Sequence, residues 1–467
     1  MSRIGASLNG FEQLLLTNLA RMNQAALQSS LRLATGKIVN SPHDDPSAFL
    51  QIQSFEKQLN LVNGVQANVE IAAHVGAEAQ TTVDEIRTQL DIIREVLLLD
   101  EEGTLTSAER DANQIIIDDA VATIRSLTRT SIDGKRYLDG SFNFTFSGKN
   151  PSQIKNIDVF SLADDTTIAG SVTTAATQAS VTYTGSGNRI NGSATFTLTG
   201  KRGATTISVT NNELLTAARD RINLDSHNTG ITASASGNSL TFTTVDRGNA
   251  ATININVTSG TFSTAGTTAG ADAVVTINGR LISSNDVDGN VVSFRENGIH
   301  VALEFQSGFT GAFSTVTVSD NSVARFSLST RINDQAKFAL PSLFPELLGG
   351  ASGNVSNVES GGSLAGLGTN TSAAIRVIDE ALDQLTLVEG RVSAFADVTV
   401  ASAGRLMDQF ASELESSLDA INAVDEDAET LVLAKHQSLA ENTVSAMAIM
   451  QQQHTYILNI LNQIAGF

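Results

Sequence analysis

The chain opens on a helical stripe. Ile4, Leu8, Phe11, Leu15, Leu19, Met22, Ala26 and Leu33 recur mostly at spacings of four and three, the period of one α-helical face. Phe11, Met22 and Leu33 stand eleven apart, and so do Ile4, Leu15 and Ala26. Eleven residues over three turns is about 3.67 per turn, so this stripe runs nearly straight. Pro42 and Pro46 bracket a break, because the residue before each proline is pushed out of the helical region. The stripe resumes from about Ser47 as Ala48, Ile52, Phe55, Leu59, Val62, Val69 and Ala73, then Val83, Ile86, Leu90, Ile93 and Leu97. About fifty helical residues span about 75 Å, which predicts a rod. Gly103 ends it, and Thr106 with Glu109 forms a capping-box pattern opening another helix to about Thr130.

The period then changes. Phe142, Phe144 and Phe146 alternate strictly, which predicts a half-buried strand, and a second follows at 154–160. From about 163 to 342 short β-branched runs alternate with turns, interrupted by one inserted helix at 212–223. Two sub-units are expected there, centred on 190–260 and 271–330. The stretch 347–372, rich in Gly and Ser, predicts a linker. Helix returns at 373–392 and continues to the end. Met447, Met450, His454, Ile457, Leu461 and Ile464 form its last stripe, with Ala446, Ile449, Tyr456 and Ile460 on a second face.

Glycine and proline sharpen this division. Of 36 Gly, 26 lie in 140–370, and no Pro falls in 47–150 or after Pro345. Helix breakers are therefore kept out of both ends. With 49 acidic against 29 basic residues the net charge is −20, which disfavours nucleic acid as a partner. Zero Cys excludes disulfides, thiolate metal sites and thiol chemistry. The N-terminus has no cleavable-signal pattern and no apolar run approaches the roughly 20 residues that span a bilayer. The chain is thus expected to be cytoplasmic or to leave by a route that reads no cleaved signal.

Candidate chemistry is thin. The six His (43, 74, 227, 300, 436 and 454) are scattered, with no pair at ligand spacing. Asp44 and Asp45 beside His43 suit capping of the break. In 284–295 a calcium loop would need an acid at its twelfth position, where Arg295 stands. Asp425, Glu426, Asp427 and Glu429 read as a solvated or subunit-facing acidic patch. No catalytic or phosphate-loop motif is present, so an enzyme, a metal site and a cofactor are not expected. The last 26 residues contain no Lys, Arg, Asp or Glu. A membrane anchor would want basic residues on its polar face, so self-association through both ends is the expectation.

The run RLATGKIVNSPHDDPSA at 32–48 resembles the flagellin signature: Arg32-Leu33, Ala34-Thr35-Gly36, Asn40-Ser41, Asp44-Asp45 and Ser47-Ala48. The likeness continues at Leu105-Thr106-Ser107 with Glu109-Arg110 and at 134–142, which is similar to that family's turn into a β-hairpin. It continues at Ile378-Asp379, Ala381-Leu382 and the acidic turn at 425–429. Gly36-Lys37-Ile38-Val39-Asn40 departs from the family's usual Gly-Leu-Arg-Ile-Asn, and Pro42 and Pro46 look more like the hook–filament junction protein.

The resemblance implies an α+β fold. A long antiparallel α-helical coiled-coil bundle comes from both termini, with a β-hairpin and inserted mainly-β outer domains. The implied domains are an inner-tube helix at 1–45, rod helices plus hairpin at 46–165, and variable outer domains at 166–345. A linker with the returning rod helix follows at 346–420, and a second inner-tube helix at 421–467. The implied function is a homopolymeric subunit of the extracellular flagellar filament, exported unfolded by a type III apparatus. Its implied partners are an export chaperone on the C-terminal helices and the hook-associated and cap proteins. The expected assembly residues are Leu8, Phe11, Leu15, Leu19, Met22, Leu33, Asp44, Asp45, Arg94, Glu95, Met447, Met450, Ile457, Leu461 and Ile464. Arg94 and Glu95 are read either as axial contacts between subunits or as an exposed helix face. Ile92 stands where an arginine is common in the segment that the animal flagellin receptor reads, which weighs against that partner. A junction protein, or an adhesin or glycan-binding module in 163–342, is the alternative.

Overall fold

The computed structural model describes residues 2–264, 266–331 and 334–465; the side chains of 2–9, 461, 462, 464 and 465 lie outside that description. Eight α-helices occur among the described residues: α1 (Ser2–Thr35), α2 (Pro46–Glu101), α3 (Ser107–Thr128), α4 (Leu215–Leu224), α5 (Ser226–Thr229), α6 (Thr371–Ser393), α7 (Ala401–Asn422) and α8 (Glu426–Ala465). A π-helical segment, Ala394–Val400, joins α6 to α7. Residues 2–68, 329–331 and 403–465 form one compact unit, and 69–328 with 334–402 a second.

In the first unit α1 packs antiparallel against α8. The first turns of α2 and the body of α7 bury Ile52, Val62, Val65 and Met407. Gln66 donates to Asp408 at 2.7 Å between these two helices.

In the second unit the rest of α2 buries Ala72, Val75, Ala79, Val83, Ile86, Leu90, Ile93 and Leu97, all at 1% exposure or less. Their steps of three and four residues define one face. α6 runs antiparallel to it, and the two are tied by Arg87–Glu389 and by Arg94–Asp379 at 2.7 Å. The Thr106–Glu109 capping box opens α3 as the sequence predicts.

The β region has two cores, and every strand pair in it is antiparallel. One joins a five-stranded sheet, in the order Thr145–Ser147, Gly311–Ser319, Thr166–Thr174, Val274–Ile277, Arg280–Leu281, to a four-stranded sheet, Val287–Asp288, Val291–Glu296, Ile299–Phe305, Ile154–Ser161. Ile168, Val275 and Val316 of the first sheet and Val292, Val301 and Leu303 of the second share its buried cluster. The other core is inserted between Thr166–Thr174 and Val274–Ile277. It joins Gly266–Ala269, Thr252–Gly260, Ala194–Thr199 and Ala204–Val209 to Ser180–Thr184, Ser239–Thr244 and Ile231–Ser236. α4 covers it, and Phe196, Phe242 and Phe262 meet at its centre. Arg202–Glu380 at 2.7 Å ties this inserted core to α6, and His227 lies 3.0 Å from Glu101 of α2.

Three expectations are corrected here. Strands 145–147 and 154–161 form no hairpin: the first pairs with Gly311–Ser319 and the second with Ile299–Phe305. Burying Phe144 and Ile157 in one core with Val301 and Val316 satisfies both strands better than an isolated pair would. The sub-unit expected at 271–330 therefore also takes in 144–176. Finally, 347–372 is folded rather than free. Leu348 and Val355 are fully buried, and Ser360 N–H and Gly368 N–H donate to Asp118 and Asp100.

Candidate assembly surface

The turn between α1 and α2 is the first part of the site. Gly36 sits at φ +67°, where a side chain would be strained, and stops α1. Arg32 then donates to Ile38 O at 3.1 Å and stands 3.8 Å from Glu429 of α8. Asp44 accepts from the N–H groups of Asn40 (3.0 Å) and Ser41 (2.8 Å). These donors hold its carboxyl below the ordinary carboxylate range. Asp45 accepts from Ser47 N–H and Ala48 N–H, both at 2.9 Å, and caps α2. The two aspartates thus act inside the chain as local caps, the role their place at the break suggests.

A residue that sequence reasoning missed closes this turn. Asn422, at the end of α7 and 8% exposed, accepts Ile38 N–H on its carbonyl and Val39 N–H on its side-chain oxygen, both at 2.8 Å. Val424 N–H returns to Gly36 O at 3.1 Å, and Lys37 bridges Ala423 in antiparallel fashion. The only local signal is an Asn at a helix end, which any C-cap would share. Asp425 then caps α8 through Ala428 N–H at 3.0 Å, and Glu426, Asp427 and Glu429 fill its first turn. There they complement the positive end of the helix dipole.

From this clasp α1 and α8 run away side by side, and they are barely buried. Ser29 is the one fully buried side chain described on α1, and none is on α8. Leu15, Leu19, Met22, Leu33, Met447 and Met450 are half-buried, as is His454. Phe11 is 53% exposed and Ile457 is exposed too. The side chains of Leu8, Leu461 and Ile464 lie outside the described residues. A second set carries more open apolar surface than the expected stripe: Leu14, Leu16, Leu27, Leu31, Val444, Ile449 and Tyr456, with Leu27 at 71% and Tyr456 at 70%. Most lie off the main stripe, and several apolar faces on one helix are their sequence signal.

Arg94 and Glu95 fall elsewhere, on α2. Arg94 donates to Asp379 of the same chain at 2.7 Å and keeps part of its side chain exposed. Glu95 is exposed. Among the described residues no cluster of His, Cys, Asp or Glu could hold a metal ion. No described helix is long and apolar enough to cross a membrane.

Residues 7–143 match the family model of the bacterial flagellin N-terminal helical region. No curated protein matches the chain. Among solved structures it is similar to the junction protein FlgL from Legionella pneumophila, at 11% identity, 80% of this chain, 99% of that chain and a TM-score of 0.29. It is similar to FliC from Burkholderia pseudomallei at 13% identity over 70% of this chain and 99% of that one, with a TM-score of 0.25. It is also similar to the D2–D3 domains of the cap protein FliD from Escherichia coli at 21% identity, over 38% of this chain and 98% of that one, with a TM-score of 0.29. Residues 7–143 thus carry a bacterial flagellin N-terminal helical region, and in chain order long helices precede and follow an antiparallel β middle.

Proposed function

We propose that the chain is a homopolymeric subunit of the extracellular bacterial flagellar filament, assembled by bundling of α1 and α8 from many copies. The observation that carries this reading is the near absence of buried side chains along two long helices rich in Leu, Ile and Met. Burying one such side chain contributes roughly 1.5–3 kcal/mol, and about a dozen stand exposed on the pair. One partner helix covers one face of each, so copies of the same pair must supply the rest. Export through the flagellum's own apparatus, with a chaperone on the C-terminal helix, fits a chain whose apolar surface needs cover before assembly.

Seeded assembly followed by negative-stain electron microscopy tests the proposal. Wild-type protein elongates seeds into filaments, and Phe11→Asp or Tyr456→Asp leaves them bare while the β cores melt normally. Filaments of ordinary length from both variants would falsify it. One observation favours the hook–filament junction protein as a second reading: the strands after Phe142 fold into the β core rather than into a hairpin. A junction protein stops or joins seeds where a filament subunit lengthens them.

A further inference from the structure

A cavity of about 500 Å³ opens in the second unit beside the π-helical segment. π-helical turns are rare and recur at functional sites. Here Ala396 approaches α2 so closely that a Cβ on Gly76 would lie 2.9 Å from its own Cβ. Three other residues of the segment, Ala394, Phe395 and Thr399, line the cavity.

The floor is aromatic. Phe144, Phe338 and Phe395 are buried there, and Phe338 stacks on Phe395 at 4.3 Å between centroids. Arg391 stands at the wall, its guanidinium 4.8 Å from the Phe160 ring centroid. Among the described residues its nearest carboxylate is Asp158 at 3.9 Å, beyond hydrogen-bond range, and no group accepts a hydrogen bond from it. Other arginines of this unit hold a carboxylate within hydrogen-bond distance: Arg94 holds Asp379, Arg110 holds Asp100, and Arg125 holds Glu346 and Glu359. Lys337, the cavity's other cation, is taken by Asp320 at 2.6 Å and Leu162 O at 2.8 Å. Burial pushes the Asp158 carboxyl above its ordinary range, with Arg391 opposing that rise incompletely. A largely buried guanidinium whose nearest carboxylate stands beyond hydrogen-bond distance, beside an aromatic floor, is complementary to an anion that carries an apolar body.

The geometry points to a binding site for a small amphipathic carboxylate, its apolar part on Phe144, Phe338 and Phe395 and its carboxylate on Arg391. This inference is independent of filament assembly. The test titrates 3-phenylpropionate into the full chain by calorimetry, with 3-phenylpropanol and inorganic phosphate as the neutral and the apolar-free comparisons. Saturable one-to-one binding of the carboxylate is expected, weakened about tenfold or more by Arg391→Gln, as loss of a charge-assisted pair requires. Ala394→Phe, at an exposed position on the rim, fills the mouth while keeping the Arg391 charge and abolishes binding. Its thermal melt reports whether the fold survives. Equal affinity for the alcohol or for phosphate, no binding at all, or binding unchanged by both substitutions would overturn the assignment.

Discussion

α2 and α8 are both long helices with apolar residues at three- and four-residue steps, yet they end in opposite states. In the second unit Leu90, Ile93 and Leu97 of α2 are at or below 1% exposure, closed over by the same chain. On α8 no described side chain is buried. The difference lies in supply rather than in the helices. α2 meets α6 in this unit, with Arg87–Glu389 and Arg94–Asp379 fixing the register, whereas the described residues of α8 pack on α1 along one flank and leave no side chain buried. An amphipathic stripe declares that a face must be covered, and the rest of the chain decides whether the cover comes from within.

That contrast can be broken from either side. The largest expected effect is loss of assembly in Leu27→Asp: the side chain is 71% exposed, so the monomer keeps its melting temperature while sedimentation shows no polymer. A polymer of normal size would erase the distinction between the two regions. Next is Leu90→Ala in the closed region, which creates a cavity at a fully buried position. It is expected to cost about 2–5 kcal/mol of stability in denaturant titrations, while filaments still form at low temperature. A cost under about 1 kcal/mol would mean that α2 is not sealed there.

Asn422→Ala probes the clasp. It leaves the buried Val39 N–H without its acceptor, a penalty of about 1–3 kcal/mol. Amide exchange should quicken at 38–41 and 423–425 and stay unchanged in the β cores; uniform quickening would contradict the local role. The smallest effect concerns acid. Asp44 is held below its ordinary range by Asn40 and Ser41 N–H, so its contribution is present above the unfolded-chain value of about 3.9. It is lost as the pH falls through the lower folded value. Protection of the 40–41 amides, measured against the exchange of an unstructured chain at the same pH, should therefore fall on acidification in the wild type, and Asp44→Asn should flatten that dependence. An identical pH profile in the two proteins would exclude Asp44 as its source.

Legibility in the sequence follows the same division. The break before α2 and the limits of α2 and α3 could be read because Pro42, Pro46, Gly103 and the Thr106 cap act within a few residues of themselves, whereas α1 stops at Thr35, before Gly36 and short of the prolines. The inserted helix at 212–223 is found at 215–224 for the same reason. Strand pairing could not be read, since Thr145 meets Ser319 and Ile157 meets Leu303 across most of the β region. Glycine-rich composition hid the order of 347–372, where Leu348 and Val355 are anchors among residues that suit a linker. On the candidate surface the stripe of Leu15, Leu19 and Met22 was legible by period. Leu27, Leu31 and Val444 were not, because an off-stripe leucine looks alike whether it faces solvent or another molecule. Arg94 shows the same limit: its partner Asp379 lies 285 positions away.

The hydrogen bond from Val39 to Asn422 joins positions 383 apart in sequence. Bringing such distant points together carries an entropic cost that grows with the logarithm of the intervening length, and contacts of this span form slowly. During synthesis the N-terminal segment can find its mate after the ribosome has released nearly the whole polypeptide, and not sooner. A nascent fragment therefore cannot complete the pairing of α1 with α8, so under the proposed assembly polymer growth follows translation as a matter of chain order alone.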